Sequence, residues 1–195
     1  MRIRAVAIIL IIAIAIGLAV GIEFFINKAE QGAYPLEYGQ YVAKYASEYN
    51  VPEYIIYSVI KTESNFDPMA TSSAGAMGLM QMTPDTFQWL TGEAHLNEGL
   101  HTNALYVPDV SIRYGTYYLT YLYRKFNYNW DTVFAAYNGG EGNVAKWLED
   151  PEYSDGEGNL TYIPFAETRN YVKKVNAAID TYKKLYYEQN EGVTV

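Results

Sequence analysis

The most one-sided pattern in the chain lies at its start, where an unbroken run of 18 apolar residues from Ala5 to Ile22 follows Arg2 and Arg4. No helical register gives this run a polar face, which argues against a core helix and for a membrane segment. As a helix it is about 27 Å long, close to the roughly 30 Å hydrocarbon core of a bilayer, and Phe24 and Phe25 extend it at the interface. The two arginines hold the N-terminus on the cytoplasmic side and put everything after Glu23 outside. A cleaved signal peptide is the rival, but its apolar region usually runs ~7–15 residues, and the best small-x-small site, Ala19-Val20-Gly21, is still inside the run. The pattern predicts an uncleaved anchor in the cell membrane over residues 1–22 and a short juxtamembrane linker over residues 23–34.

Beyond the linker the apolar positions take the period of amphipathic helices. Tyr38, Tyr41, Val42, Tyr45 and Tyr49 share one face, Asn50 ends it, and Pro52 suits the first turn of the next helix. Thr83-Pro84-Asp85 combines a capping hydroxyl, a first-turn proline and a first-turn acid, and so starts a short helix through Trp89. Gly92 to Pro108 reads as loop. Asp109 to about Phe126 is helical, with Val110, Tyr114, Tyr117, Tyr121 and Leu122 on one side. Trp130 to Tyr137 forms another helix, terminated by Asn138-Gly139-Gly140. Asn143 to Leu148 adds a turn or two, and Asp150 to Thr161 is a surface loop. Phe165 to about Tyr187 closes the chain with Val172, Val175, Ile179, Tyr182 and Tyr186 on one stripe. Period-two alternation is confined to brief strands near Leu160 to Ile163. The expectation is one mainly α domain over residues 35–190 behind a single transmembrane helix.

One residue is out of place in this pattern. Ile56, Ile60 and Glu63 fall at i, i+4 and i+7, so Glu63 continues a buried stripe. Asn65, Asp67 and Pro68 stop the helix and leave Glu63 in its last turn, where unpaired carbonyls repel negative charge. Burial and the helix end both favour the protonated form and predict a raised pKa, as a proton donor near neutral pH requires. On spacing alone, a solvated helix-end glutamate fits the same positions. Asp67, in a DP pair at a helix stop, reads as a turn support.

Composition narrows the chemistry. The chain has no cysteine, which excludes disulfides, thiolate nucleophiles and thiolate metal sites. His95 and His101 are its only histidines and lack the i, i+4 spacing of a zinc pair, so neither a metal site nor a cofactor is predicted. Tyrosine is the outlier, with 21 of 195 residues; its flat face and polar tip suit helix packing beside a wet groove, and suit ordinary core packing equally. Lys and Arg number 14 against 22 Asp and Glu, and two of the 14 precede the apolar run. The acidic folded part disfavours nucleic acid as a partner and leaves room for a glycan held by hydrogen bonds and stacking.

Three further segments carry polar chemistry. Ser73 to Gln81 combines small residues, which allow close backbone approach, with the two-way amide of Gln81; it fits a groove floor or a helix-packing loop. Ala136-Tyr137-Asn138-Gly139-Gly140 puts a phenol and an amide at a helix end. Ile163-Pro164-Phe165-Ala166-Glu167 places Glu167 in a first turn, where the dipole favours its ionised form, opposite to the setting of Glu63. A plain first-turn charge is the alternative for Glu167.

The motifs ESNFDP, SSAGAMGLMQMTPDTF, AYNGG followed by GNVAKWL, and IPFAETRNYV occur in this order between Pro35 and Tyr187. Together they resemble the lytic transglycosylase family of the soluble, lysozyme-like type. The resemblance implies a lysozyme-like helical domain with a long glycan groove and peptidoglycan strands as substrate, acting as a monomer. It implies cleavage between N-acetylmuramic acid and N-acetylglucosamine without net hydrolysis, leaving 1,6-anhydro ends. Glu63 matches the family's catalytic glutamate, acid first and then base. Gly78, Leu79, Met80 and Gln81 match its groove-lining motif, Tyr137 and Asn138 the motif that orients acid and substrate, and Glu167 a substrate-contacting glutamate. Ordinary glycosidases need two carboxylates; here the muramoyl acetamido group and the C6 hydroxyl take the second role. Gly139 and Glu141 stand where many relatives have Ala and Pro, a change expected to alter only the turn. The family's late tyrosine has four competing positions, Tyr171, Tyr182, Tyr186 and Tyr187. A lysozyme-type hydrolase on the same fold and an inactive, membrane-tethered peptidoglycan-binding protein are the rival readings.

Overall fold

The structure is a computed structural model that describes residues 2–92 and 95–188. It divides into two compact units, residues 1–35 with 184–195, and residues 36–183. The predicted domain end at residue 190 and part of the predicted 92–108 loop, residues 93 and 94, lie outside the described residues.

The first unit is dominated by α1 (Arg2–Ala33). Its stretch Ile12–Ala33 is long and apolar enough to cross a membrane, and none of its residues is buried in the protein. Residues 23–34, read from the sequence as a linker, continue this helix through Ala33: they hold Ala, Glu, Gln and Lys, all good helix formers, and the first proline is Pro35. In the same unit the Tyr186 hydroxyl donates to the Tyr34 carbonyl at 2.8 Å, and Lys184 pairs with Glu30 at 3.4 Å.

The second unit is helical throughout, and among the described residues only isolated antiparallel bridges represent β structure. The brief strands expected near Leu160 to Ile163 reduce to one bridge, Ser154 to Leu160, because Pro164 and the surrounding glycines leave no length for a ladder. The helices are α2 (Gly39–Tyr49), α3 (Glu53–Ser64), α4 (Pro84–Leu90), α5 (Pro108–Lys125), α6 (Trp130–Gly139), α7 (Glu141–Glu149) and α8 (Ala166–Tyr182). Their ends follow local chemistry. Asn50 and Asn65 close α2 and α3 in the left-handed conformation, at φ 54° and φ 50°, which asparagine tolerates well. Thr83 and Asn129 cap α4 and α6 by accepting from the amides of Thr86 and Thr132. The expected 92–108 loop contains a short 3-10 helix, Thr102–Tyr106, pinned by the fully buried Leu105.

Helix α3 is the centre of the domain. Residues 55–60 are all buried, and α3 packs most extensively on α8. Helix α5 meets α2, α4, α6 and the 3-10 helix, so its buried surface wraps through Ile112, Tyr114, Tyr118, Leu119 and Leu122. The sequence stripe that included Val110, Tyr117 and Tyr121 is thus rotated from the true core face; these three are half-exposed. A tyrosine counts as apolar in a periodicity argument but settles happily with its tip in water.

Candidate active site

Glu63 occupies the last full turn of α3, beyond the buried Ile56 and Ile60. The chain leaves that turn through two consecutive left-handed residues, Asn65 and Phe66 (φ 50° and 68°). Asp67 is committed to the turn, its carboxylate accepting from the Met69 amide at 2.8 Å. Ser64 ties the helix end to the following loop, its hydroxyl donating to the Leu79 carbonyl at 2.8 Å.

That loop is folded on itself by bridges from Met77 to Thr71 and to Met82. Gly78 is at φ 76° with the Leu105 carbonyl in the space that a Cβ would fill, so both the backbone angle and the close approach require glycine. Gln81 is left-handed at φ 47°. Its amide nitrogen bridges the loop to the carbonyls of Ala70 and Gly78 at 3.0 and 2.9 Å. The Met80 amide donates to the Ser111 hydroxyl at 3.2 Å, and the Met80 carbonyl accepts from the Tyr137 hydroxyl at 2.8 Å. The Met80 side chain fills the space over Gly115, where a Cβ would collide with it.

Two helices bring phenols to the carboxyl of Glu63. Tyr137 comes from α6 and Tyr171 from α8, and the negative charge of Glu63 helps to push both phenols well above their ordinary pKa, after burial itself. Tyr118 of α5 packs on Tyr137 with ring centroids 5.5 Å apart. Burial pushes the Glu63 carboxyl up to about 7, and the Tyr171 hydroxyl opposes that rise. The Tyr171 hydroxyl is itself buried and makes no hydrogen bond of standard geometry, yet it is close enough to influence Glu63. Neither influence on Glu63 is a second carboxylate. The residue as a whole is only half-buried, so its carboxyl is densely surrounded yet reachable. The group is an acid that is half-protonated near neutral pH.

Asn138 and Glu167 meet elsewhere. They line a hollow of about 540 Å³ together with Gly139, Pro164, Phe165 and Thr168. Glu63 is not part of that lining; Asn138 follows Tyr137 directly and links the two regions. Among the described residues no cluster of His, Asp and Glu is built to hold a metal. His95 shares a 3.1 Å hydrogen bond with the Tyr117 hydroxyl and packs on Trp89, and His101 caps the 3-10 helix.

The transglycosylase SLT domain family matches residues 40–158 of the sequence, which includes Glu63, the Gly78–Gln81 loop and the Tyr137–Asn138 helix end. The chain belongs to this family. The soluble lytic murein transglycosylase of Salmonella typhimurium is 32% identical over 161 residues, which cover 82% of this chain and 25% of that protein. The crystal structure of the 70 kDa soluble lytic transglycosylase of Escherichia coli superposes with a TM-score of 0.72 at 32% identity, covering 81% of this chain and 26% of that one. The lytic transglycosylase Slt of Pseudomonas aeruginosa, solved as an inactive mutant with a glutamate changed to glutamine, gives a TM-score of 0.68 at 33% identity, covering 78% of this chain and 25% of that one. The SLT domain here has the same lysozyme-like helical fold, and the chain spans about a quarter of the length of these relatives.

Within the SLT domain, three sequence-based expectations are corrected or refined. Leu79 and Met80, expected to line a groove, have fully buried side chains; the small-residue loop turns its large apolar side chains inward, so only their backbone is left to face a groove. The departures at Gly139 and Glu141 do more than alter the turn. A Cβ on Gly139 would stand 2.9 Å from the Thr168 hydroxyl and 3.3 Å from the Trp147 ring, and Glu141 pairs with Lys125 at 3.0 Å. Among the four candidates for the late tyrosine, Tyr171 acts on Glu63, whereas Tyr182 is buried in a stack on Tyr57 and Tyr186 bonds Tyr34.

Proposed function

We propose that this chain is a membrane-tethered peptidoglycan lytic transglycosylase in which Glu63 is the sole acid and base. The observation that carries the reading is a single reachable carboxyl held at about 7 by burial. At that value the group gives a proton and takes one back at the same pH. In the first step protonated Glu63 donates to the glycosidic oxygen, the bond from muramic acid C1 breaks, and N-acetylglucosamine leaves with a free hydroxyl. The muramoyl acetamido oxygen, as internal nucleophile, bonds to C1 as the glycosidic bond breaks, and it is displaced from C1 in the next step. In the second step the C6 hydroxyl of the same sugar attacks C1, the Glu63 carboxylate takes its proton, and a 1,6-anhydro end forms. No water is consumed and Glu63 returns to its starting state.

The remaining groups fit supporting roles. The Tyr171 hydroxyl stabilises the carboxylate between the two steps. Tyr137 holds the loop through Met80, and the backbone of Gly78 to Met80 with the Gln81 oxygen forms a wall for the sugar. Asn138 and Glu167 contact the glycan in their shared hollow. The inactivity of the relative whose glutamate was changed to glutamine supports an essential glutamate, and Glu63 is the glutamate here whose setting suits that role. Mass spectrometry of digested sacculi tests the reaction: anhydro-muramoyl ends are expected, and reducing muramic acid ends would identify a hydrolase instead.

The apolar stretch within α1, with Arg2 and Arg4 before it, supports an anchor that leaves the domain on the extracytoplasmic side. N-terminal sequencing of the membrane fraction should return the intact start, and a start near Ile22 or Glu23 would replace the anchor by a cleaved signal.

A further inference from the structure

Ten residues before Glu63, at the other end of α3, the surface carries a second concave site that none of the groups above lines. A hollow of about 500 Å³ opens between the end of α2, the Asn50 to Glu53 connection, the end of α5 and the start of α6. Along the α3 axis it lies about 15 Å from the catalytic turn.

Its wall is aromatic. Tyr123 and Trp130 both line it, with rings stacked at 4.2 Å and 21° between planes. Trp130 stacks in turn on the buried Phe134 at 5.6 Å, which anchors the platform in the core. Beside it Tyr128 meets the Tyr123 ring edge-on at 5.2 Å and is 63% exposed. Asn127 and Tyr128 are both left-handed, at φ 49° and 62°. That conformation is unfavourable for a bulky side chain, and a strained backbone that presents an exposed ring points to a use for the ring. The rim is polar, formed by Ser47, Asn50 and Glu53, and no cationic side chain lines the hollow.

We propose that this hollow is a second saccharide-binding site, remote from Glu63 and selective for neutral N-acetylhexosamine units. A hexose ring offers a flat C–H face to stacked aromatics and hydroxyl and acetamido groups to a polar rim, and the volume lies within the roughly 300–1,000 Å³ of ligand pockets. The lack of a cation disfavours phosphate or carboxylate ligands. If the proposed function holds, on which this clause rests, the chain grips its wall polymer at two points, and the second raises retention through effective concentration.

The test uses the full chain in detergent micelles. A tetramer of N-acetylglucosamine is the soluble probe and purified sacculi the insoluble one. The chain has three tryptophans, Trp89, Trp130 and Trp147, so Trp130→Phe, which keeps the stack, should remove most of the fluorescence change that the tetramer produces. In a Glu63→Gln background Tyr128→Gly should lower sacculus retention at least fivefold. Glycine relieves the left-handed strain, so an unchanged or higher Tm would exclude unfolding as the cause; Tyr123→Leu provides a second variant. Undiminished retention in both variants, or a full fluorescence change in Trp130→Phe, would overturn the proposal. So would a concentration-dependent dimer that Tyr128→Gly dissolves, which would mark the face as a contact between copies. Absence of anhydro ends from the parent chain would refute the catalytic reading while leaving the tetramer titration to decide this site.

Discussion

The hydroxyl of Tyr137 donates to the carbonyl of Met80 at 2.8 Å, and so joins the end of α6 to the loop that follows the Glu63 turn. The Met80 amide is held from α5 by Ser111, so the loop backbone is fixed from two sides. Tyr137→Phe keeps the ring against Tyr118 and deletes only the donor. The expected stability loss is about 1 kcal/mol, or roughly 2–4 °C in Tm. Freed by a fraction of an ångström, the groove wall misplaces the sugar, and kcat should fall about 10- to 100-fold. Thermal melts and turnover on sacculi check both effects, and an unchanged kcat would show that the bond serves only the fold.

Glu63→Gln should separate catalysis from stability. Loss of the acid and base should lower activity by at least about 100-fold, while sacculus binding persists. The stability effect has a defined sign. The folded-state value of about 7 lies above the ordinary 4.5, so the fold favours the protonated carboxyl. Stability is therefore highest below the ordinary value, declines as pH rises towards 7, and is level above it. The penalty at high pH is up to about 3 kcal/mol, from the size of that shift. Glutamine never ionises, so the variant should be the more stable form at pH 8 and gain nothing at pH 4. Denaturant unfolding at the two pH values decides the matter, and an equal gain at both would exclude a raised pKa.

Glu63 was legible from the sequence because burial periodicity and a helix stop are both one-dimensional signals. The side chains of Leu79 and Met80 were not, since a motif shows which residues recur beside a site and not which way they point. The direction of Met80 depends on Gly115 leaving room on α5, a contact 35 residues away in sequence. The rotated face of α5 has a related origin: a helix with neighbours on several sides has no single stripe, and tyrosines blur the one it has. Tyr171 could be chosen from its rivals only once α8 was docked on α3. The continuation of α1 through Ala33 follows helix propensity, which runs past the point where hydropathy falls.

Tyr171→Phe should move the pH profile more than the fold. The Tyr171 hydroxyl lowers the Glu63 pKa, so its removal should raise that pKa further. The alkaline limb of the activity profile, where the acid loses its proton, should then shift to higher pH. The hydroxyl makes no formed hydrogen bond, so its loss should change stability at pH 5 by no more than about 1 kcal/mol. Rate measurements across pH 5–9 read the limb directly, and a shift to lower pH would contradict the arrangement.

Gly139→Ala probes the tight approach of α6 to α8. Here the new methyl would stand 2.9 Å from Oγ1 and 3.1 Å from the methyl of Thr168, with the Trp147 ring at 3.3 Å. Thr168 is 2% exposed and sits in the first turn of α8, so it has little room to yield. Overpacking of this kind costs about 1–3 kcal/mol. Thr168→Ala removes both crowding atoms and costs little more than the methyl and hydroxyl it deletes. Combined, the two changes should fit each other, with the double variant more stable than the sum of the singles by about 1 kcal/mol or more. Denaturant unfolding of the four forms gives this coupling. A value near zero would mean that α6 and α8 separate freely at this point, and that the close approach of Gly139 to Thr168 is not a constraint on the domain.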